Sequence, residues 1–271
     1  MATSLNNIQF KAKAQLGLGR VLIEKGHLDD AETWLTRALH NYRQTQDYVG
    51  EIDTLDALGN VLSLQGDSLK AVEYLEQGMS IAKDHQDVHS EIRLRFSLGY
   101  VGTTAQDWLT AIFHYRDVID MAESIGNHFF EVRGLTSLGE AWLELGEIQK
   151  AIVLLEKALA LQEISDDQLS KAFTHFYLAK AYNFIGAPND SLAHLSHVYP
   201  FYQIPRMISE ATEADWIMAN NLLLLGETDL ACARLQEALS RLPKKTTKLH
   251  HSIEQLLASI VIEGKYKINQ K

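Results

Sequence analysis

Histidine is the residue type in this chain whose spacing most invites a search for chemistry. The sequence has 11 histidines, and three pairs lie close together: His85 and His89, His194 and His197, and His250 and His251. A metal site needs a third and a fourth ligand at suitable spacing, and the sequence has neither an HExxH motif nor a cysteine cluster. We therefore predict solvated surface histidines, no metal and no cofactor.

The other residue types that carry catalysis also lack a catalytic pattern. Cys232 lies next to Ala231 without a recognisable catalytic context, so we expect a buried, inert thiol. The sequence contains no P-loop, GxGxxG or GxSxG motif. Most Asp and Glu residues fall on predicted polar helix faces, where a solvated role is the default. These observations favour a protein that is not an enzyme.

Composition excludes several classes of partner. The formal net charge of −10 argues against nucleic acid, because phosphate binding needs a basic surface. The longest apolar runs, such as 222–225, are far too short to cross a bilayer, and we expect no membrane partner. A single cysteine allows no internal disulfide, which fits a reducing cytoplasm.

The dominant feature of the sequence is a period of 40 residues that recurs six times. One series has small side chains: Ala31, Ala71, Ala111, Ala151, Ser191 and Ala231. A second small-residue series runs in step with it: Gly19, Gly59, Gly99, Gly139, Ala179 and Ala219. A third series is mostly glycine: Gly26, Gly66, Gln106, Gly146, Gly186 and Gly226. Series that share one period over most of a chain predict a stack of equal structural units.

Each unit is predicted to be a pair of antiparallel helices, here called helix A and helix B. In the fourth unit, apolar residues at helical spacing precede Gly146, and a second helical stripe begins at Ile148. The glycine suits the left-handed residue that ends a helix. A glycine inside helix A, such as Gly59, suggests a close approach to the small residue of helix B, here Ala71. Large residues of helix B, such as Leu75, are then expected to fill the layer between neighbouring units.

This pattern resembles the tetratricopeptide repeat family. The matching residues in the fourth unit are Leu138, Gly139, Trp142, Gly146, Ala151, Leu155 and Ala158. The resemblance covers about residues 12–242, but the family's usual unit has 34 residues. The longer unit is similar to the repeats of bacterial signalling and transcription-regulator sensor modules. The resemblance implies an all-α fold, a right-handed α-solenoid of antiparallel helix pairs.

The predicted organisation is one solenoid over residues 1–271. The repeats are expected at about 12–51, 52–91, 92–131, 132–171, 172–211 and 212–245. Residues 246–271 are expected to form either a C-terminal capping helix or the start of a truncated seventh repeat.

The resemblance also implies a binding surface, because members of the family bind peptides on the concave face lined by the A helices. Carried onto this sequence, the predicted binding residues are Arg20, Asn60, Arg93, Phe96, Tyr100, Arg133, Phe176, Lys180, Asn183, Trp216 and Asn220. Arginine suits carboxylates, aromatic rings suit apolar anchors, and asparagine amides suit a peptide backbone.

Two repeats depart from the pattern. In the third repeat, Gly102 stands where other repeats have a large residue, which predicts either a hinge or pocket, or a gap filled by Trp108. In the fifth repeat, the prolines of the segment Tyr199–Arg206 end helix B early. That segment is expected to form either a partner-binding lip or a cover over the core.

The sequence therefore predicts a protein-protein interaction scaffold that binds a peptide or partner protein. We expect it to be a sensory or docking part of a larger bacterial cytoplasmic signalling protein. The alternative is a regulatory module that controls an attached output domain, either a nucleotide cyclase or a DNA-binding region, through a small effector or an intramolecular segment. A homodimer through exposed terminal helices is a third interpretation.

Overall fold

The computed structural model describes residues 2–163, 167–203, 208–241 and 248–268, and these ranges contain helices and turns but no strand. The chain forms two compact units, Met1–Leu145 and Gly146–Lys271. The helices of the first unit are α1 (Ala2–Glu24), α2 (Leu28–Thr45), α3 (Tyr48–Gln65), α4 (Ser68–Asp84), α5 (Val88–Thr104), α6 (Trp108–Ser124) and α7 (His128–Glu144). Those of the second are α8 (Ile148–Gln162), α9 (Gln168–Phe184), α10 (Pro188–Ser196), α11 (Ile208–Leu224), α12 (Thr228–Arg241) and α13 (Lys248–Ile268), with a 3-10 turn at Tyr199–Phe201.

Helix pairs build both units. In the first unit, α1, α3, α5 and α7 are A helices. Helices α1, α3 and α5 pack against the B helices that follow them, and α7 packs against α6, which precedes it. Consecutive A helices also pack against each other, from α1 to α3, α3 to α5 and α5 to α7. In the second unit, the A helices α9 and α11 pack together in the same way. Side chains on consecutive A helices therefore share one surface within each unit.

The turn between helix A and helix B explains the glycine series. Gly66 has φ +87°, and the backbone N–H of Asp67 donates to the carbonyl of Leu62 at 2.9 Å. This geometry satisfies a carbonyl at the end of α3. The Asp67 side chain then accepts from the N–H of Lys70 and caps α4. Gln106 occupies the same turn position in the third repeat with φ +58°, a conformation that is unfavourable for a side chain bearing a Cβ.

The mid-helix glycines pack against helix B of their own repeat. A Cβ on Gly59 would lie 2.6 Å from the Leu75 side chain, so the large residue of helix B sits directly on this glycine. In the first repeat, a Cβ on Gly19 would also lie 3.5 Å from the carbonyl O of Ala31, the small residue of helix B. Removing the Cβ makes room for a leucine, which is buried completely.

Gly102 is a site of close backbone approach in an intact helix. A Cβ added there would lie 2.8 Å from the backbone N of Ala111 and 3.1 Å from the carbonyl O of Asp107. Helix α5 continues to Thr104, and Gly102 is buried. The glycine therefore lets the start of α6 pack tightly against α5, and the α6 backbone takes the space that a large residue would fill.

The segment after α10 covers the core of the second unit. Tyr202 is buried, and Tyr199 and Phe201 pack on a core cluster that includes Leu195 and Val198. The interpretation as a cover is confirmed for residues 199–202. Residues 204–206 of the predicted segment lie outside the described residues.

Candidate functional site

The predicted binding residues fall into two groups, one in each compact unit. The first unit contains Arg20, Asn60, Arg93, Phe96, Tyr100 and Arg133, and the second contains Phe176, Lys180, Asn183, Trp216 and Asn220. All of them lie on A helices. Each unit therefore has its own A-helix surface.

Ion pairs join three A helices of the first unit. Asp53 of α3 pairs with Arg93 of α5, and it also lies 3.7 Å from Arg20 of α1. Arg93 Nε lies 3.7 Å from Asp56 Oδ2. Ser97 Oγ donates to Asp56 Oδ1 at 2.5 Å. Arg93 thus contacts two carboxylates of its own chain, and an acidic group of a partner must compete with them.

Asp56 is the buried member of this network. Burial raises the pKa of the Asp56 carboxyl, while the Ser97 hydrogen bond and the Arg93 charge act in the opposite direction. A raised folded-state pKa means that Asp56 stabilises the fold less as the pH rises through that pKa. The Asp56 carboxylate lies 3.7 Å from Arg93 Nε, so it attracts the guanidinium without a hydrogen bond to that nitrogen.

An arginine-aromatic cluster forms where α5 and α7 meet. The Arg133 guanidinium carbon lies 4.2 Å from the centroid of the Phe96 ring, 5.3 Å from that of Phe129 and 5.7 Å from that of Phe130. Phe96 is half-buried and also packs against Tyr115 with a centroid distance of 5.4 Å. Phe129 is 56% exposed. This cluster combines a fixed positive charge with apolar surface that is open to solvent.

The remaining predicted residues of the first unit lie on the same face. Tyr100 is half-buried on α5, one turn after Phe96. Asn60 is half-buried on α3, and its side-chain amide makes no hydrogen bond within the described part of the chain. An amide in this position can both donate to and accept from a peptide backbone.

The second unit contains a charged pair and partly exposed polar residues. Lys180 Nζ of α9 lies 3.0 Å from Glu213 Oε1 of α11, and only 15% of the Lys180 side chain is exposed. Trp216 is half-buried and packs on the core of this unit. Asn183 and Asn220 are half-buried.

The structure corrects the placement of Phe176. Its side chain is 2% exposed, in a core cluster with Leu195, Ala211 and Ala214. Phe176 therefore packs inward and has almost no surface to offer a partner.

Sequence reasoning missed Phe129 and Phe130. They lie in the first turn of α7, just after the cap residue Asn127. This turn is outside the helix positions that the family resemblance marks as binding positions. The signal was present, because Phe129 and Arg133 are four residues apart and such residues are neighbours on a helix.

No helix in the described ranges has the length and hydrophobicity to span a bilayer. Within those same ranges, no group of three or more His, Cys, Asp or Glu side chains is arranged to hold a metal ion.

Comparisons with known proteins support the helical-repeat class. The family model of the tetratricopeptide repeat matches residues 10–84. Tetratricopeptide repeat protein 29 of Trypanosoma brucei brucei (strain 927/4 GUTat10.1) is 24% identical over 159 residues, which are 56% of this chain and 33% of that protein. The chain thus spans about a third of the length of this relative. The predicted resemblance to tetratricopeptide repeat proteins is confirmed.

Solved structures show the same fold. A Signal Transduction ATPase with Numerous Domains from Pyrococcus horikoshii, which has a tetratricopeptide repeat sensor, gives a TM-score of 0.74 at 14% identity over 96% of this chain and 40% of that chain. A Rap protein complexed with Competence and Sporulation Factor gives a TM-score of 0.67 at 13% identity over 97% of this chain and 80% of that chain. These likenesses confirm the predicted all-α solenoid class of helix pairs, and at this identity they show the fold alone.

Proposed function

We propose that this chain is a protein-protein interaction scaffold that binds an extended peptide segment of a partner on the A-helix face of its first unit. The observation that carries this proposal is the arginine-aromatic cluster, in which Arg133 lies over Phe96 beside the exposed Phe129. Aromatic and arginine side chains supply a large share of binding free energy at protein interfaces. Such a surface can anchor apolar side chains of a peptide.

Pre-organisation of this face supports the proposal. The Arg93 side chain is held by a direct ion pair with Asp53, and Arg133 lies over three aromatic rings. Side chains that are already fixed lose little conformational entropy when a ligand binds. The cost of ordering is then borne mainly by the peptide.

The polar residues of the face suit a peptide backbone. The Asn60 amide has no hydrogen-bond partner in the described part of the chain, and it lies on α3, which packs against α5. A peptide that crosses the A helices can satisfy this amide through its own N–H and C=O groups. The Rap protein of similar fold, which is complexed with Competence and Sporulation Factor, also supports a binding role.

A second part of the proposal concerns the protein context. The similarity to an ATPase with a tetratricopeptide repeat sensor, of which this chain covers 40%, supports a sensory or docking region of a larger signalling protein, which we propose to be bacterial. In the alternative form, the same face holds an effector or an intramolecular segment and regulates an attached nucleotide cyclase or DNA-binding domain. Cys232 is the only cysteine, which supports a cytoplasmic location.

The test is selection of peptides on the purified chain. A phage-displayed library of random peptides is panned on the protein, and selected peptides are synthesised and measured by fluorescence anisotropy. We expect Arg133→Ala and Tyr100→Ala each to weaken binding about tenfold or more, since interface anchors typically contribute more than about 1.4 kcal/mol.

Arg37→Ala is the matched control. Arg37 also lies over an aromatic ring, with its guanidinium carbon 4.9 Å from the Trp34 ring centroid, but it is exposed on the B helix α2. This variant should bind like the unaltered chain. Peptides whose affinity is unchanged by Arg133→Ala and Tyr100→Ala would place binding elsewhere and overturn the proposal.

A further inference from the structure

Three histidines meet where α9 packs against α10. His175 comes from α9 and His194 from α10, and His197 is the residue that ends α10 as its C-cap. The Nδ1 atoms of His175 and His194 are 2.9 Å apart. The rings of His175 and His197 stack with a centroid distance of 4.1 Å and an interplanar angle of 12°. Tyr182 stacks on His194 from the other side, with centroids 5.4 Å apart.

The contact between His175 and His194 requires a neutral imidazole. A hydrogen bond between two Nδ1 atoms needs one protonated nitrogen as donor and one bare nitrogen as acceptor. If both rings are charged, each Nδ1 carries a proton and the contact becomes repulsive. The geometry of the cluster is therefore compatible with at most one positive charge on this pair.

The environment of the cluster opposes protonation. His175 is 5% exposed, His194 is half-buried and His197 is exposed. Burial, followed by the neighbouring His197, His194 and Lys171, lowers the pKa of His175 to about 3. Burial and then His197 also lower the pKa of His194.

The acidic groups around the cluster offset only part of the effect that burial and neighbouring positive charges have on the histidine pKa values. Asp190 of α10 and Glu156 of α8 act on His194 and favour its protonated form. Glu156 also accepts a hydrogen bond from the Tyr182 hydroxyl at 3.1 Å. On α11, which packs against both α9 and α10, Glu213 is paired with Lys180 at 3.0 Å and Asp215 acts on Tyr199. No acidic group therefore offsets the Lys171 charge at His175 in the interactions described.

Helix α10 is the element that such repulsion can displace. It has nine residues, whereas the preceding B helix α8 has 15. Pro200 follows it in a 3-10 turn, so the helix cannot lengthen. Short helices depend on packing for their stability. The side chains of Leu195 in α10 and of Val198 just after it are completely buried. Loss of the α9–α10 contact would expose these apolar residues.

We propose that His175, His194 and His197 form a pH-sensitive latch that holds α10 against α9 while the imidazoles are neutral and releases α10 when two of them are protonated. The direction of the effect follows from linkage. A histidine whose folded-state pKa lies below its unfolded value stabilises the closed form fully above about pH 6.5. That stabilisation is lost as the pH falls toward the folded-state pKa.

Hydrogen-exchange mass spectrometry of the full chain between pH 7.5 and pH 5 tests the latch. Exchange rates are corrected for their intrinsic pH dependence and converted to opening constants for peptides from α10. One linked proton raises the opening constant about tenfold per pH unit, and two raise it up to about a hundredfold. We expect more than a tenfold rise per unit below about pH 6. A rise of tenfold or less would overturn the two-proton latch.

His175→Asn is the informative variant, because an asparagine amide can keep a hydrogen bond to His194 without titrating. We expect it to remove about tenfold per pH unit from the response of α10. His114→Asn is the matched control, since His114 is half-buried on α6 of the first unit and burial lowers its pKa too. This control should leave the exchange of α10 unchanged, and an equal effect of the two variants would refute the proposal.

A measurement on the unaltered chain keeps the test decisive if His175→Asn does not fold. In NMR titrations of histidine C2–H signals, the latch predicts that His175 stays neutral down to pH 5 in the closed form. A His175 signal that titrates near pH 6.5 would contradict the latch.

Discussion

The third and the fifth repeats both depart from the pattern of the chain, but the structure resolves the two departures in different ways. In the third repeat, Gly102 replaces a large residue, and the space is closed by the backbone at Ala111. In the fifth repeat, Ser191 replaces the small apolar residue of helix B, and a buried polar chain results. Ser191 Oγ donates to the carbonyl of Ala179 at 2.7 Å and accepts from Asn221 Nδ2 at 2.7 Å.

This difference shows that the 40-residue period predicts the helix position of an irregular residue but not the contacts that its side chain makes. The third repeat keeps its helices regular and presents a charged and aromatic face on α5, with Arg93 and Phe96. The fifth repeat buries polar groups between its helices, with His175 and Ser191 below one tenth exposed. The exposed charged and aromatic face of α5 is part of the surface on which we propose peptide binding. The buried polar groups of the fifth repeat include His175, for which we propose a response to pH.

The largest expected effect separates two phenylalanines at the same repeat position. Phe176→Ala should lower the free energy of unfolding by about 3–5 kcal/mol, because it empties a site in the core. Phe96→Ala should cost about half as much or less, since that ring is half-buried. Urea unfolding followed by circular dichroism measures both. Equal losses would mean that the two rings are equally buried.

A smaller effect tests the backbone contact of the third repeat. Gly102→Ala should destabilise the fold by about 1–3 kcal/mol, because its Cβ would lie 2.8 Å from the Ala111 backbone N. Gly17→Ala is the control in α1, where an added Cβ meets no atom within 4 Å. That change should stabilise the protein by about 0.5–1 kcal/mol, as alanine is the better helix former. Thermal unfolding should therefore give shifts of opposite sign.

The polar chain of the fifth repeat yields a prediction that runs against the repeat pattern. Ser191→Ala restores the residue found in the other five repeats, yet it should cost about 1–2 kcal/mol because the buried Asn221 amide loses its acceptor. The double variant Ser191→Ala with Asn221→Leu should recover part of this loss. A double-mutant cycle in urea measures the coupling, and additive losses would show that the two side chains are independent.

The smallest effect concerns the turn of the third repeat. Gln106→Gly should raise the free energy of unfolding by about 1 kcal/mol, because φ +58° is unfavourable for any residue with a Cβ. The reciprocal change Gly66→Gln at the same turn of the second repeat, with φ +87°, should lower it by at least as much. Differential scanning calorimetry of both variants tests the pair, and stabilisation by Gly66→Gln would disprove this account of the turn.

Sequence patterns were sufficient to predict the class of the fold and its register. The glycine series marks the turn between helix A and helix B, because a positive φ there is a local backbone requirement. The spacing of Leu135, Leu138 and Trp142 predicts helix A in the fourth repeat, and α7 spans these residues. Both signals are local, so they can be read without knowing which elements pack together.

The sequence could predict which helix face carries the candidate site, but not how deeply each of its side chains is buried. The repeat register places Phe96 and Phe176 alike, but the depth of each ring depends on the residues of the next A helix. Phe176 lies in a core cluster with Ala211 and Ala214, whereas Phe96 stays half-buried beside Arg133. A period describes directions from the helix axis, and it contains no information on the size of the opposing side chains.

The sequence by itself determined that the chain folds into helix pairs joined by tight turns, because a 40-residue period and the demands of a left-handed turn residue act locally. Only the tertiary structure decided which polar groups meet. Arg93 of α5 pairs with Asp53 of α3, and His175 of α9 contacts His194 of α10. Such contacts join residues far apart in the chain, and their distances depend on how closely neighbouring helices pack.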